Sequence, residues 1–283
     1  MKRLIINADD FGLTEGVNQA IVELNAQGSL TSATLMAKAA ATAGACQMAL
    51  TTPTLGVGCH VVLVDGESVL EPREDLRSLI VSGNSTGRFE RTLGSFLKRI
   101  YGEQSDLDRA IQAEAYAQIR SIQARGIHLT HIDTHKHTHM FPRVLRPVLR
   151  AAKAAGITTI RNPYEPAWAI AATPRAPWLR RLQVNLLRSL APTFRRIVAE
   201  EGFRTTDGAI GVLATGTLDS ATIASLLRAM PDGIWELVTH PAYNDAALAN
   251  AGTRLLASRE TERQALLNTT FPPDIERIHF GDL

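Results

Sequence analysis

Ile127-His128-Leu129-Thr130-His131-Ile132-Asp133-Thr134-His135-Lys136-His137-Thr138-His139 is an apolar, β-favouring run that passes into a histidine-rich turn. Residues 131–139 alone carry four of the chain's eight histidines and one aspartate. Imidazole is the commonest protein ligand for borderline metals, and carboxylate is its usual partner. Chance histidines on a polar loop are the bland alternative. That alternative gives no reason for gathering them at a strand end.

Outward from this stretch, short apolar runs alternate with segments of helical period. Leu4–Ile6 reads as a strand, and Val17, Ala20, Ile21 and Leu24 mark a helix closed by Gly28. Ser32–Met36 is a second strand, followed by an alanine-rich helix near Ala39–Leu50 and a third strand at Leu55–Val62. Residues 64–91 read as a long loop rich in Gly, Ser and charge. Ile111, Ala115, Ile119 and Ile122 mark a helix ending at Gly126, and strand four is Ile127–Asp133. Pro142 suits the first turn of a helix whose face is Val144, Leu145, Val148 and Leu149. Strand five is Ile157–Ile160, after which an insertion breaks the rhythm. It resumes with Ala209–Leu213, a helix near Ala221–Met230, Ile234–Thr239, a helix near Arg259–Leu267 and Arg277–Phe280.

Seven or eight β–α units in series predict an α/β fold with a parallel sheet. No Gly-rich phosphate loop follows strand one; Ala8-Asp9-Asp10-Phe11-Gly12 stands there instead, which favours barrel closure over an open doubly wound sheet. Polar residues recur at the strand ends: Asp9 and Asp10, His60, Asp133 and His135, Arg161, and His240. Side chains from many strand ends converge at the C-terminal mouth of a (β/α) barrel. The expectation is one barrel domain of seven or eight strands over 1–283, with an insertion at about 162–200.

Bulk properties narrow the class. Hydrophobic content of 45% allows a substantial core, and a net charge of +2 gives no general attraction to nucleic acid. Cys46 and Cys59 form no disulfide framework. Leu4-Ile5-Ile6 is too short for a signal-peptide core, and no run approaches a membrane span. The expected location is the cytoplasm.

Asp10, His60 and His135 then make a carboxylate-plus-two-imidazole ligand set for one divalent metal ion, with positions left open for water and substrate. The neighbouring Asp9 is placed to take a proton from the attacking water, and His240 to give one to a departing amine. Arg161 and Asp133, at further strand ends, are assigned to substrate binding. The outline is metal-assisted amide hydrolysis. For Asp9-Asp10 alone a solvated turn, and for His60 or His240 alone a core histidine, are the plain alternatives.

Four strings resemble the YdjC-type carbohydrate deacetylases: Asn7-Ala8-Asp9-Asp10-Phe11-Gly12, Gly58-Cys59-His60, residues 131–139, and His240-Pro241. The resemblance implies an irregular (β/α) barrel related to polysaccharide deacetylases, and removal of N-acetyl groups from amino sugars. Carried over by motif, it implies Asp10, His60 and His135 as ligands of magnesium or zinc, and Asp9 as base. Gly58-Cys59-His60-Val61-Val62-Leu63-Val64-Asp65-Gly66, His135-Lys136-His137-Thr138-His139-Met140-Phe141-Pro142 and Ile160-Arg161-Asn162-Pro163-Tyr164-Glu165-Pro166 resemble the hopanoid-biosynthesis-associated branch, HpnK. That branch implies an N-acetylglucosaminyl hopanoid glycolipid as substrate, against free chitooligosaccharides as the alternative. Thr134, where chitooligosaccharide-type members carry Ser, is a conservative departure.

A barrel amidohydrolase or phosphoesterase competes, but would call for His-x-His after strand one, where Asp9-Asp10 stands. A non-enzymatic sugar carrier would lack a ligand or base, and all are present. The insertion carries Leu179, Leu182, Leu186 and Leu190 at helical spacing after Trp178, with Arg180, Arg181 and Arg188 between. It reads either as a helix packed on the flank or as a lid whose apolar stripe holds a lipid tail and whose arginines rest on anionic headgroups. The second reading allows peripheral contact with the inner face of a membrane. A homodimer is compatible with everything above.

Overall fold

The computed structural model describes residues 1–71, 76–81, 87–102 and 106–283. Strand β1 (Lys2–Phe11) leads into helix α1 (Glu15–Ala26), then β2 (Ser32–Met36), α2 (Thr42–Leu50) and β3 (Gly56–Val61). Helices α3 (Leu93–Ile100) and α4 (Leu107–Gln123) precede β4 (Ile132–Thr134), a 3₁₀ turn at His135–Met140 and α5 (Pro142–Ala154). The inserted segment folds as α6 (Ala167–Ala172), α7 (Trp178–Leu187) and α8 (Ala191–Glu200). Then come β5 (Gly208–Ile210), α9 (Ser220–Ala229), β6 (Gly233–Thr239), α10 (Ala246–Asn250), α11 (Ala257–Leu267) and β7 (Ile275–Ile278).

Local chemistry explains the elements. Thr14 caps α1 by accepting from Val17 N–H, and the 3.6-residue stripe Val17, Ala20, Ile21, Leu24 is buried. Pro142 opens α5, where its missing N–H costs no helical bond, and Val144, Leu145, Val148 and Leu149 face inward. Leu4, Ile5 and Ile6 are wholly buried, as a strand covered on both faces requires. One core cluster extends from Leu4 to Ile275.

All strand pairs are parallel, in the order β4-β3-β2-β1-β6-β5. β7 pairs with the first residues of β1, Lys2 to Ile5, while β2 pairs with β1 from Asn7 onward. Every carboxyl end therefore opens on one side, and the sheet curves as a half-barrel.

The sheet is not the closed barrel expected. The predicted fifth strand, Ile157–Ile160, supplies only isolated bridges, Ile132 to Ile160 and Thr159 to Arg204. The run is four residues long and meets Asn162-Pro163 at once, and a proline restricts the residue before it and withholds an N–H. With β5 only three residues long, no continuous ladder joins β4 to β5. Helix α3 was not anticipated; it hides Phe96 and Ile100 behind a Thr92 cap. The stretches 72–75 and 82–86 of the predicted 64–91 loop lie outside the described residues.

Candidate active site

Successive side chains of a regular strand point to opposite faces, so Asp9 and Asp10 could not both reach one site. The register between β1 and β2 shifts between Ala8 and Phe11, and Asp10 takes a left-handed φ of 66°. This bulge turns both carboxylates into the mouth of the sheet. A non-glycine residue in that conformation costs about 1–3 kcal/mol and persists only where its surroundings hold it.

His60 stands on β3 and His135 just beyond β4. Asp10 Oδ1 lies 3.4 Å from both His60 Nε2 and His135 Nδ1, and those two nitrogens are 3.2 Å apart. Two ligands about 2.1 Å from one ion are separated by about 3.4 Å in a tetrahedral sphere and about 3.0 Å in an octahedral one. The spacing of the three donors therefore fits one face of either sphere around a single divalent ion. Asp133 Oδ1 is 2.7 Å from His60 Nδ1. A carboxylate accepts there, so the proton belongs on Nδ1 and the Nε2 lone pair is left for a cation. Burial opposes a charge on His60, yet Asp133 together with Asp9 and Asp10 lifts its pKa to about 9. Without an ion, a proton holds the place.

Arg161 enters from the residue after the 157–160 run. It is fully buried and gathers three carboxylates. Its Nη2 donates to Asp9 Oδ1 at 2.6 Å and Nη1 to Asp9 Oδ2 at 2.9 Å. Nε donates to Glu236 Oε1 at 2.8 Å, and Nη1 also donates to Asp133 Oδ2. Burial alone would raise the Asp9 pKa, but the Arg161 guanidinium, together with His60 and His240, outweighs it and holds the carboxyl well below its usual range. Glu236 is pushed up to about 7, by burial first and then by the other acids, against the pull of Arg161. Arg161 and Asp133, expected at the substrate, lie at the same mouth beside Asp9 and His60. Both are buried with their polar atoms on protein partners, and they orient Asp9 and His60.

His240 directly follows β6, with Nε2 3.8 Å from Asp9 Oδ2. Its backbone N–H donates to Glu262 Oε2 at 2.6 Å, and its Nδ1 lies 3.7 Å from the same oxygen. Burial lowers its pKa, but Glu262 and Asp9 raise it further, so the net shift is upward. Glu262 belongs to α11, as does Arg259, whose Nη2 donates to Asp10 Oδ2 at 2.5 Å. Neither residue, nor Glu236, was singled out from the sequence. A signal existed: Arg259, Glu262 and Arg263 share a helical face with Leu266, where core residues belong.

Only one of the four clustered histidines joins the triad. His131 stacks on Phe280 with centroids 3.8 Å apart, and its ring fills the space that a Cβ on Gly58 would enter at 2.4 Å. His139 Nδ1 pairs with Thr134 Oγ1 at 2.7 Å. Burial and Arg161 hold His137 neutral, with a pKa of about 3. Lys136 and His137 both adopt left-handed φ, which kinks the turn after His135.

Helix α7 contains no buried residue; Trp178 is 71% exposed, Leu182 60% and Leu186 71%. Arg180 ties it to the loop just beyond β5, donating to the carbonyls of Leu213 and Val212 at 2.9 and 3.0 Å. The helix is therefore tied near the carboxyl end of β5. Of the arginines that the lid reading would rest on headgroups, Arg180 turns to that loop, and Arg181 donates to the carbonyls of Ile170 and Thr173. No helix among the described residues is long and apolar enough to cross a membrane.

A family model described as YdjC-like protein matches residues 3–277. A carbohydrate deacetylase of Brevibacillus brevis is 33% identical over 273 residues, spanning 93% of this chain and 90% of that protein. A chitooligosaccharide deacetylase of Salmonella typhimurium is 37% identical over 155 residues, 54% of this chain and 57% of the other. A crystal structure from Enterococcus faecalis, described as a candidate cellobiose-phosphate cleavage protein, superposes with a TM-score of 0.77 over 99% of this chain and 98% of that one. At 24% identity it speaks for the fold alone.

Proposed function

The chain belongs to the YdjC-like protein family, and on that premise we propose that it is a metal-dependent amide hydrolase that removes the N-acetyl group from an N-acetylated amino sugar. The observation that carries this reading is the meeting of Asp10 Oδ1, His60 Nε2 and His135 Nδ1 within 3.4 Å, beside Asp9 and His240. The deacetylase names of the Brevibacillus and Salmonella relatives support it.

A divalent ion held by Asp10, His60 and His135 would polarise the acetyl carbonyl and stabilise the oxyanion formed on attack. Asp9 is ionised at any working pH and accepts the proton of the attacking water. Arg161 fixes its direction and also weakens it as a base, so positioning rather than basicity is its main asset. His240, whose proton affinity Glu262 and Asp9 raise, donates to the departing amine.

The finer reading is a lipid-linked sugar, an N-acetylglucosaminyl hopanoid, with free chitooligosaccharides as the competing class. The HpnK-like strings support it, as does the exposed apolar stripe of α7, a helix tied near the carboxyl end of β5. Such a stripe lies comfortably at a lipid surface. Acetate release from N-acetylglucosaminyl hopanoid, chitobiose and N-acetylglucosamine, beside a phosphate-release control, tests both levels. Acetate from none of the three sinks the deacetylase reading, and acetate from the free sugars alone sinks the lipid-linked one.

A further inference from the structure

The two oxygens of Asp10 face different partners. Oδ1 lies 3.4 Å from His60 Nε2 and from His135 Nδ1, whereas Oδ2 receives the Arg259 Nη2 donor at 2.5 Å. We propose that Arg259 is a positioning residue that restricts Asp10 to a single oxygen toward a divalent cation and so keeps one coordination position open for the reactants. The inference rests on the ion site of the proposed function.

A carboxylate can bind a divalent cation through one oxygen or both. Asp10, His60 and His135 supply three donors when Asp10 uses one oxygen. A second Asp10 oxygen would make four and fill the place that a catalytic tetrahedral site leaves open. A charge-assisted hydrogen bond of this length holds Oδ2 away from that role.

Arg259 is built for the task. Its side chain is 1% exposed. Its Nε donates to Leu255 O at 3.1 Å, and its own carbonyl accepts from Ala242 N–H at 3.3 Å. Asp10 is its one carboxylate partner among the described residues. Nη1 is buried and without a protein partner, so no second acid neutralises the cation. Three residues on, Glu262 anchors the backbone of His240 at 2.6 Å. One face of α11 therefore holds both the Asp10 carboxylate and the His240 backbone, at the ends of two neighbouring strands. The left-handed φ of Asp10 makes such a hold necessary.

The plain alternative is that Arg259 merely orients Asp10, as outer partners of metal ligands often do. Loss of such a partner costs about 10–100-fold in metal affinity or activity. The two roles differ in sign. Removing a guard frees an oxygen and takes a cation away from the ion, so affinity is kept or tightened while turnover falls.

The test uses the full chain, stripped of metal and titrated with Zn²⁺ by calorimetry. The Co²⁺ visible bands provide a second readout, since they weaken as coordination number rises. Arg259→Ala is expected to bind Zn²⁺ at least as tightly as the parent and to show weaker Co²⁺ bands. It is expected to lose about 10–100-fold in kcat at nearly constant KM, with Arg259→Lys recovering part of the loss. If Arg259→Ala does not fold, Arg259→Lys carries the same comparison. A 10-fold or greater fall in Zn²⁺ affinity with unchanged Co²⁺ bands overturns the proposal in favour of plain orientation. Failure of the parent to take up either ion sinks the ion site itself, and the proposal with it.

Discussion

Raising the pH of the metal-free protein tests the electrostatic construction of the triad. The folded His60 has a pKa of about 9 against an ordinary 6.5, because Asp133 at 2.7 Å overcomes the cost of burial. A raised imidazole pKa stabilises the fold fully below 6.5, and that stability is lost as pH climbs through 9. The whole shift corresponds to roughly 3 kcal/mol, of which about 2 kcal/mol disappears between pH 7 and 9. With an unfolding entropy of about 0.6 kcal/mol/K for a chain of this length, Tm should fall by about 3–4 °C across that window. Glu165 and Glu236, both raised to about 7, act with the same sign: most of their contribution is lost below pH 7, and each gives up a further ~0.4 kcal/mol between pH 7 and 9. Stopping at pH 9 limits any contribution from the buried Cys59 thiol, whose pKa is pushed up. The assay is scanning calorimetry in EDTA, repeated with saturating Zn²⁺. An ion replaces the proton on His60, so its presence should remove the larger, His60 share of the slope and leave only the small glutamate share. A metal-free Tm that stays level or rises from pH 7 to 9, or a fall that Zn²⁺ leaves untouched, would refute the reasoning.

Other consequences are direct. Alanine at Asp10, His60 or His135 should abolish bound metal by elemental analysis while leaving the far-UV spectrum intact; retained stoichiometric metal in His135→Ala would show the triad to be misassigned. Asp9→Asn should keep the metal and lose on the order of 10²–10⁴-fold in rate, toward the lower end because Arg161 already weakens this base. His240→Ala should slow amide cleavage far more than cleavage of an activated ester, and equal losses would make it a structural residue. Trp178→Ala/Leu182→Ser should weaken co-sedimentation with liposomes if α7 meets lipid; binding by neither protein at low salt, with normal turnover of the lipid-linked sugar, would leave α7 as scaffold.

The order of elements was legible because apolar period survives in the sequence: the face of α1 and the stripe of α5 sit where spacing put them. So was the convergence of Asp10, His60 and His135, since parallel strands aim their carboxyl ends at one mouth. What was not legible depends on pairing and burial. The bulge that turns Asp9 and Asp10 to one side needs a left-handed aspartate, which local propensity disfavours. Closure of the barrel failed at 157–160, where the ladder depends on partners at Arg204 that no periodicity announces. Arg161 and Asp133 read as free polar ends, and only the fold reveals that one guanidinium occupies three acids. Arg259 and Glu262 arrive from more than two hundred and from about twenty residues away from Asp10 and His240, respectively. Charges on a core-facing helical stripe were the available hint.

The most direct test of the central claim is acetate released from an N-acetylglucosamine-bearing glycolipid and from chitobiose by the metal-stripped protein, before and after one equivalent of divalent ion, beside Asp10→Ala. The account predicts no acetate from the stripped protein, restoration by the added ion, and none from Asp10→Ala under either condition. Equal acetate release with and without the ion, or an Asp10→Ala variant as active as the parent, would contradict it.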